Sequence, residues 1–197
     1  MKTESLPMSN VAKYPVLHGP ASRIRGFSLI EIIIVLVIVA IIGAIGAPSF
    51  GQFLRSNKIS ATTNDLVGAL YAARSEAITR GVSAVVCPSD NSQDVDAVCG
   101  AGVEWTSGFI AFVDDNGNGT REPGAEDILV QVDQLTTGFG LTPDVVYRDR
   151  VYFSNDGSST NLAGIPLTGQ FLIELGDQPS RQVTVSANGR VSSKSTP

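Results

Sequence analysis

FSLIEIIIVLVIVAIIGAIGA, residues 27–47, contains a single charged side chain, that of Glu31. About 20 apolar residues are enough for a helix to cross a bilayer, so this segment predicts a transmembrane helix. Residues 1–26 before it are polar, and their cations are Lys2, Lys13, Arg23 and Arg25. Because cationic flanks stay in the cytoplasm, we expect the part of the chain that follows the helix to be exported.

Three interpretations compete for this apolar segment. A cleaved secretory signal has an apolar core of about 7–15 residues, shorter than this one. A plain membrane anchor leaves the Glu31 carboxylate unexplained, at a cost of roughly 2–3 kcal/mol in the bilayer. The third interpretation accounts for both features, because RIRGFSLIE, residues 23–31, resembles the type IV prepilin signature: a basic leader, a glycine, an aromatic residue and a glutamate in that order.

The prepilin resemblance implies a processing site and an assembly residue. Prepilin peptidase would remove residues 1–26 on the cytoplasmic side of the inner membrane by cutting between Gly26 and Phe27. The new amine of Phe27 would then be methylated, and Glu31 would pair with the N-terminal amine of a neighbouring subunit in a helical filament. The physical reason is that a buried carboxylate is costly unless it meets a cation.

Residues 48–80 predict an amphipathic continuation of the helix. Pro48 removes a backbone hydrogen bond and is expected to kink or locally melt the helix; pilins commonly have a proline at this place. Beyond it, apolar or small residues recur at steps of three and four, which predicts one buried face. These residues are Ile59, Thr62, Leu66, Ala69, Leu70, Ala73 and Ala77. The helix is expected to end near Arg80, because Gly81 supplies a stop.

Residues 81–197 predict a small antiparallel β domain, so that the fold class is α+β, with a long N-terminal helix packed on a β-sandwich-like domain. Short β-rich runs alternate with clusters of Gly, Pro, Asn and Asp. The predicted strands are 82–87, 109–113, 128–132, 145–153, 171–175, 182–186 and 190–193. The polar tail, residues 192–197, is expected to be mobile.

Cys87 and Cys99 close a short loop in the exported part of the chain. Disulfides persist outside the cytoplasm, so we predict that the two cysteines are bonded. A metal site would need more ligands, and no second cysteine pair or histidine lies near them in sequence. Free thiols are the remaining alternative.

Several segments in this order resemble the GspH/FimT family of minor pilins and pseudopilins. They are ARSEAITRG (73–81), VVCPSD (85–90), EWTSGFIAFVDDNGNGTREPGAED (104–127) and SANGRV (186–191). The resemblance implies a long helix leading into a β-sandwich-like domain. It also implies a place in a type IV pilus or a type II secretion pseudopilus, usually at low copy near the tip.

Residues 114–119 fit the first half of a calcium-binding loop, with Asp114, Asn116 and Asn118 as candidate ligands. The twelfth position of such a loop is normally a bidentate Glu, but Ala125 stands there, and Glu126 follows one place late. The alternative is a tight Asn-Gly turn between two strands. Apart from this calcium candidate, no cofactor is expected.

The sequence SANGRVSSK raises a second candidate site. Some FimT proteins bind DNA through a C-terminal Gly-Arg-x-Arg motif; this chain has Gly189 and Arg190, but Ser192 replaces the second arginine. Arg181 and Lys194 are the other cations nearby. We expect weak, salt-sensitive DNA binding or none, because few phosphate contacts are available. The alternative is a hairpin turn at Asn188-Gly189.

The leading hypothesis is a non-catalytic structural subunit, and the alternative is a DNA-binding minor pilin that acts in DNA uptake. The formal net charge of −5 argues against a general polyanion binder. The only histidine, His18, lies in the leader, so a Ser-His-Asp or Cys-His site in the exported domain is excluded. An enzyme is therefore not expected.

Overall fold

The structure, a computed structural model, describes residues 26–196, without the side chains of 45–49. The predicted leader, apart from Gly26, lies outside the described residues. This part of the chain contains one α-helix, α1 (Leu29–Arg80), and 3₁₀ turns at Trp105–Ser107 and Val145–Tyr147. The strands are β1 (Ser83–Pro88), β2 (Phe109–Asp114), β3 (Ile128–Val132), β4 (Phe139–Pro143), β5 (Val151–Phe153), β6 (Ser159–Thr160), β7 (Gly169–Leu175), β8 (Ser180–Val185) and β9 (Val191–Thr196).

The chain divides into two compact units, and the first ends at Ile45. Its described residues form the start of α1, and their large apolar side chains are exposed. Among the residues that the structure describes, no helix combines the length and the apolar character needed to cross a membrane. The predicted span over 27–47 stays a prediction.

The second unit begins at Gly46 and contains the rest of α1 and all the strands. The predicted apolar face of the helix is confirmed, because every residue of that face is buried. The helix ends where the sequence predicts: Gly81 has φ 69°, and its N–H donates to the carbonyl of Ala77 at 3.0 Å. Glycine adopts this left-handed conformation without a steric penalty, which closes the last turn.

Two antiparallel sheets pack with α1 around a common core. The first sheet has the order β3-β2-β1-β5-β6, and the second has the order β4-β7-β8-β9. Side chains from α1, from both sheets and from the 3₁₀ turns meet in one cluster, which includes Leu70, Trp105, Tyr147, Phe153 and Phe171. The predicted α+β class is thus confirmed.

Strands β1 and β2 of the first sheet are buried on both faces, whereas the second sheet is buried on one. All six residues of β2 are buried, while β7 alternates between buried and exposed positions. The outer face of the first sheet carries a second apolar cluster with Val85, Cys87, Ile110 and Phe112. This double burial explains why β1 and β2 read as continuous apolar runs.

The structure corrects three sequence predictions. The predicted strand 145–153 divides into a 3₁₀ turn and β5, because the Asp144 carboxylate caps the backbone N–H of Val145 at 2.7 Å and the Tyr147 ring enters the core. Strands β4 and β6 were not predicted. The tail that the sequence predicts to be mobile is part of strand β9 as far as Thr196, and β9 pairs with β8 along its whole length.

Candidate functional site

The start of α1 holds the two groups that the prepilin resemblance assigns to processing and assembly. Gly26 and Phe27 precede the helix and are exposed, Phe27 by 78%. Among the residues that the structure describes, a side chain built on Gly26 would meet no atom within 4 Å.

Ser28 caps the helix, and Glu31 stands in its first turn. The N–H of Glu31 donates to the Ser28 carbonyl at 3.1 Å and to its hydroxyl at 3.3 Å. Sequence reasoning missed this cap, although Ser-x-x-Glu is a known helix-start signature. The Glu31 carboxylate is exposed, and a negative charge in the first turn is favoured by the helix dipole.

The predicted kink at Pro48 stays a prediction. Helix α1 runs through this position without interruption, and the structure does not describe the proline ring.

The Cys87–Cys99 disulfide is confirmed, with the two Cα atoms 5.5 Å apart. Cys87 lies in β1, and the loop that ends at Cys99 covers the outer face of the first sheet, where Ala97 joins Val85 and Phe112. The bond thus fastens a loop over strands that would otherwise expose an apolar face.

Residues 115–127 connect β2 to β3 in a longer loop than the tight Asn-Gly turn that was the alternative to a calcium-binding loop. Asp114 holds its first half, because its two carboxylate oxygens accept from the N–H groups of Asn118 at 3.1 Å and Gly119 at 2.8 Å. Glu126 holds the second half by accepting from the N–H groups of Asp115 and Glu122, both at 3.0 Å. These two carboxylates hold the loop folded back on itself.

The acidic side chains of this loop differ in their environments. Burial raises the pKa of Asp114 and of Glu126, whereas the hydrogen bond from the Asn118 amide lowers the pKa of Glu122. The Asn116 amide also donates to Glu122, at 3.2 Å. The carboxylate oxygens of Asp114 and Glu126 thus accept hydrogen bonds from the backbone N–H groups of the loop.

Within the described residues, no group of three or more His, Cys, Asp or Glu side chains has the geometry of a metal site. Calcium binding by Asp114, Asn116 and Asn118 stays a prediction.

Arg121 joins the acidic loop to the disulfide loop, and sequence reasoning did not single it out. Its side chain is 6% exposed and donates to the carbonyls of Ala97 at 2.7 Å, Val95 at 3.3 Å and Glu126 at 3.2 Å. Three carbonyl acceptors compensate part of the cost of burying the guanidinium group. Arg121 therefore links the acidic loop to the disulfide loop by hydrogen bonds.

The three cations predicted for DNA binding do not share a face. Side chains alternate along a strand, so Arg181 lies on the core side with Val183, and it reaches the Ser60 hydroxyl on α1 at 3.4 Å. Lys194 pairs with Gln182, whose side chain bonds Gln170 on the opposite, exposed face.

Arg190 is exposed and follows the Asn188-Gly189 turn. This turn is a hairpin: the Ser186 N–H donates to the Arg190 carbonyl at 2.9 Å, and Gly189 has φ 73°. A side chain at Gly189 would collide with the Gly157 carbonyl. The glycine of the predicted DNA motif is thus explained by the turn.

Two family models match the chain. Residues 62–189 match the model described as type II transport protein GspH, and residues 21–47 match the prokaryotic N-terminal methylation motif. Together they include the Gly26-Phe27 junction, the disulfide, the acidic loop and the hairpin turn. A comparison with curated protein sequences gives no match.

Among solved structures, the chain is similar to the Pseudomonas aeruginosa PAO1 type IV minor pilin FimU in two crystal forms. The first has a TM-score of 0.51 at 16% sequence identity, and the alignment covers 72% of this chain and 92% of that one. The second has a TM-score of 0.50 at 17% identity, with 68% and 91% covered. At these identities the similarity shows the fold.

Proposed function

This chain belongs to the GspH family of type IV pilin-like proteins, and from that membership we propose that it is a non-catalytic subunit of a type IV pilus or a type II secretion pseudopilus. Before assembly it is anchored in the inner membrane, with residues 81–197 in the periplasm. Its partners are prepilin peptidase and other pilin-like subunits. Assembly places it near the filament tip.

The observation that carries this proposal is the start of α1. The exposed residues Gly26 and Phe27 are followed by a capped helix with Glu31 in its first turn, and the large apolar side chains that come next are exposed. After cleavage, a carboxylate four residues from the new N-terminus would lie beside a free amine of a neighbouring subunit. An ion pair that is formed only between subunits makes assembly favourable in a medium of low dielectric constant.

The alternative of a DNA-binding minor pilin has less support from the geometry. Arg181 lies on the core side of its sheet, so only Arg190 and Lys194 are left of the predicted cluster. Two phosphate contacts would give weak binding that salt abolishes. Removal of the leader also removes four cations and one acidic residue, which makes the mature chain more acidic.

The test is the presence of the chain in filaments. The full chain with a C-terminal epitope should appear in the sheared filament fraction, or in pseudopili formed when the secretion system is overexpressed. Loss of twitching on deletion would assign it to the pilus, and loss of protein secretion would assign it to the pseudopilus. A chain that stays in the inner membrane while filaments assemble would contradict the proposal.

A further inference from the structure

A groove of about 480 Å³ is lined by α1 and by the second sheet, both within the second unit of the chain. Helix α1 contributes Leu54, Arg55 and Lys58. The second sheet and the turn that precedes β4 contribute Thr137, Phe139 and Leu175. The groove therefore combines two cations and a hydroxyl group with three apolar side chains, and we call it the basic groove.

The two cations of the basic groove have no carboxylate partner. Among the residues that the structure describes, the ion pairs are those of Arg80 with Glu76 and with Asp127. No acidic residue lines the groove. Between Glu31 and Asp65, Arg55 and Lys58 are the only charged residues of the sequence. The positive charge of the groove is therefore available to an anion from outside the chain.

Two carboxylates neighbour the lining in sequence. Glu174 lies on the exposed face of β7, and Asp177 is exposed in the turn that follows this strand. Neither forms an ion pair with a cation of the basic groove. Arg181 adds a third cation at this end of the domain, since it reaches α1 at the Ser60 hydroxyl. The local charge thus stays positive, although the chain as a whole is acidic.

The basic groove lies close to the predicted membrane span because the chain connects them directly. Arg55 follows Ala47, the last residue of that span, by eight residues, which a helix covers in about 12 Å. The polar headgroup region extends roughly 5–8 Å beyond the hydrocarbon core. Side chains of an α-helix lean toward its N-terminus, and arginine and lysine have long stems. The two cations therefore reach the level of the headgroups.

The helix surface next to the basic groove has the chemistry of a membrane interface. Phe50 and Phe53 are 61% and 59% exposed. Helices that lie at the boundary between headgroups and acyl chains carry phenylalanine and leucine beside lysine and arginine. The same aromatic side chains can pack on neighbouring helices in a filament, so a lipid contact belongs to the subunit before assembly.

The lining of the basic groove selects a class of lipid. Cations form charge-assisted hydrogen bonds with phosphate oxygens, and the Thr137 hydroxyl is a further donor. Leu54, Phe139 and Leu175 suit the apolar glycerol backbone that follows the phosphate. A zwitterionic headgroup brings an ammonium group that Arg55 and Lys58 repel. An anionic phospholipid fits, and phosphatidylglycerol is its simplest example.

We propose that the basic groove binds the headgroup of an anionic phospholipid in the periplasmic leaflet of the inner membrane. The contact holds the exported domain, most of which is acidic, against an anionic bilayer until the subunit is assembled. The inference rests on the proposed function, because it requires the inner-membrane anchor that precedes the groove.

Lipid titration of the full-length chain in detergent tests the site. Native mass spectrometry measures the fraction that binds phosphatidylglycerol and, separately, phosphatidylcholine. Each cation at an anionic bilayer surface contributes about a fivefold preference, so Arg55→Gln with Lys58→Gln should lower the preference roughly 25-fold. Arg190→Gln with Lys194→Gln is the matched control, because it removes the same two charges from exposed positions outside the groove and should keep the preference.

Arg55→Lys with Lys58→Arg keeps both charges and should retain most of the preference. Unfolding curves of all variants, followed by Trp105 fluorescence, should match the wild type. Equal binding of the two lipids by the wild type, or an equal loss in the control pair, would overturn the inference. Binding that inorganic phosphate abolishes at constant ionic strength would assign the groove to a soluble anion and overturn the lipid contact.

Cysteine labelling in nanodiscs adds a measurement of position. The native cysteines are bonded to each other, so Thr137→Cys supplies the reactive thiol. A water-soluble maleimide should label it severalfold more slowly in phosphatidylglycerol than in phosphatidylcholine nanodiscs. Val95→Cys, at a position that is 87% exposed and outside the groove, should react equally in both.

The two proposals fail in different ways. A chain that is present in filaments but shows no lipid preference and no protection of Thr137→Cys would overturn this inference alone. A chain with both properties that never enters filaments would contradict the proposed function and leave the lipid contact standing. A chain that does not insert into bilayers would contradict both.

Discussion

The first and the last parts of α1 differ in where their apolar side chains lie. Between residues 29 and 42 the large apolar side chains are 46–78% exposed, whereas Leu66, Ala69 and Leu70 are fully buried. Each large apolar side chain that leaves water contributes roughly 1.5–3 kcal/mol. The later part gains this free energy by burying its side chains against its own chain. We expect the earlier part to gain it by burial in the bilayer or against neighbouring helices.

A pair of matched leucine truncations separates the two parts most strongly. Leu66→Ala should destabilise the folded domain by about 3 kcal/mol, because it leaves a cavity in the core. Leu36→Ala should leave the stability of the domain unchanged, since Leu36 is 61% exposed. Denaturant unfolding of the detergent-solubilised full chain can be followed by the fluorescence of Trp105, the only tryptophan and a core residue. Equal losses in both variants would contradict the comparison.

The disulfide strengthens only the later region. Cys87→Ser with Cys99→Ser should lower the free energy of unfolding by roughly 2–4 kcal/mol, because the loop is no longer closed in the unfolded chain. The same Trp105 signal measures the loss. The double variant should still be cleaved and inserted like the wild type, and a failure of cleavage would show that the two regions are coupled.

Glu31 lies in the first turn of α1, in the part of the helix whose apolar side chains are exposed. Glu31→Ala should reduce incorporation into filaments at least tenfold, because a neighbouring amine loses its carboxylate, and should leave the Trp105 unfolding curve unchanged. Ser28→Ala is the matched control: it removes the cap, at a cost of about 1 kcal/mol of helix stability, but keeps the charge. Immunoblots of sheared filaments give the ratio. Normal incorporation of Glu31→Ala would refute the assigned role.

The smallest expected effect concerns the acidic loop. The two carboxylate oxygens of Asp114 each accept one backbone N–H group, and Asp114→Asn removes one of these acceptors. The variant should lower the free energy of unfolding by about 1 kcal/mol. Because burial raises the pKa of Asp114, the folded state binds the proton more tightly than the unfolded state. Its carboxylate therefore weakens the fold as pH rises through the raised pKa. This contribution should disappear in the variant, while that of Glu126, whose pKa burial also raises, should remain.

Unfolding with calcium and with a chelator belongs to the same experiment. If the loop is held by carboxylate–amide hydrogen bonds, the wild-type midpoint is the same under both conditions. A higher midpoint in calcium that Asp114→Asn abolishes would instead support the predicted calcium site.

The features that sequence predicts well here are local ones. The buried face of α1 and its end at Gly81 follow from periodicity and from the conformational freedom of glycine, which do not depend on distant residues. The division of 145–153 depends on packing, because the Tyr147 ring enters a core that other elements build. The sequence pattern of that segment is equally suitable for a strand.

The candidate sites likewise divide into those that a local motif reveals and those that depend on distant residues. The cap by Ser28 was available from a motif of four residues. The cavity that Val145 and Leu162 line was not, because these two residues are brought together only by the pairing of β5 with β6. Likewise, the separation of Arg181 from Lys194 depends on the register of β8 with β9, which no short motif reveals.

The mass of the N-terminal peptide of the chain, recovered from the filament fraction, decides whether the chain is processed as a prepilin. The peptide should begin at a methylated Phe27, because cleavage after Gly26 creates the amine that assembly requires. An unprocessed leader on chains within filaments, from a strain with active prepilin peptidase, would contradict it.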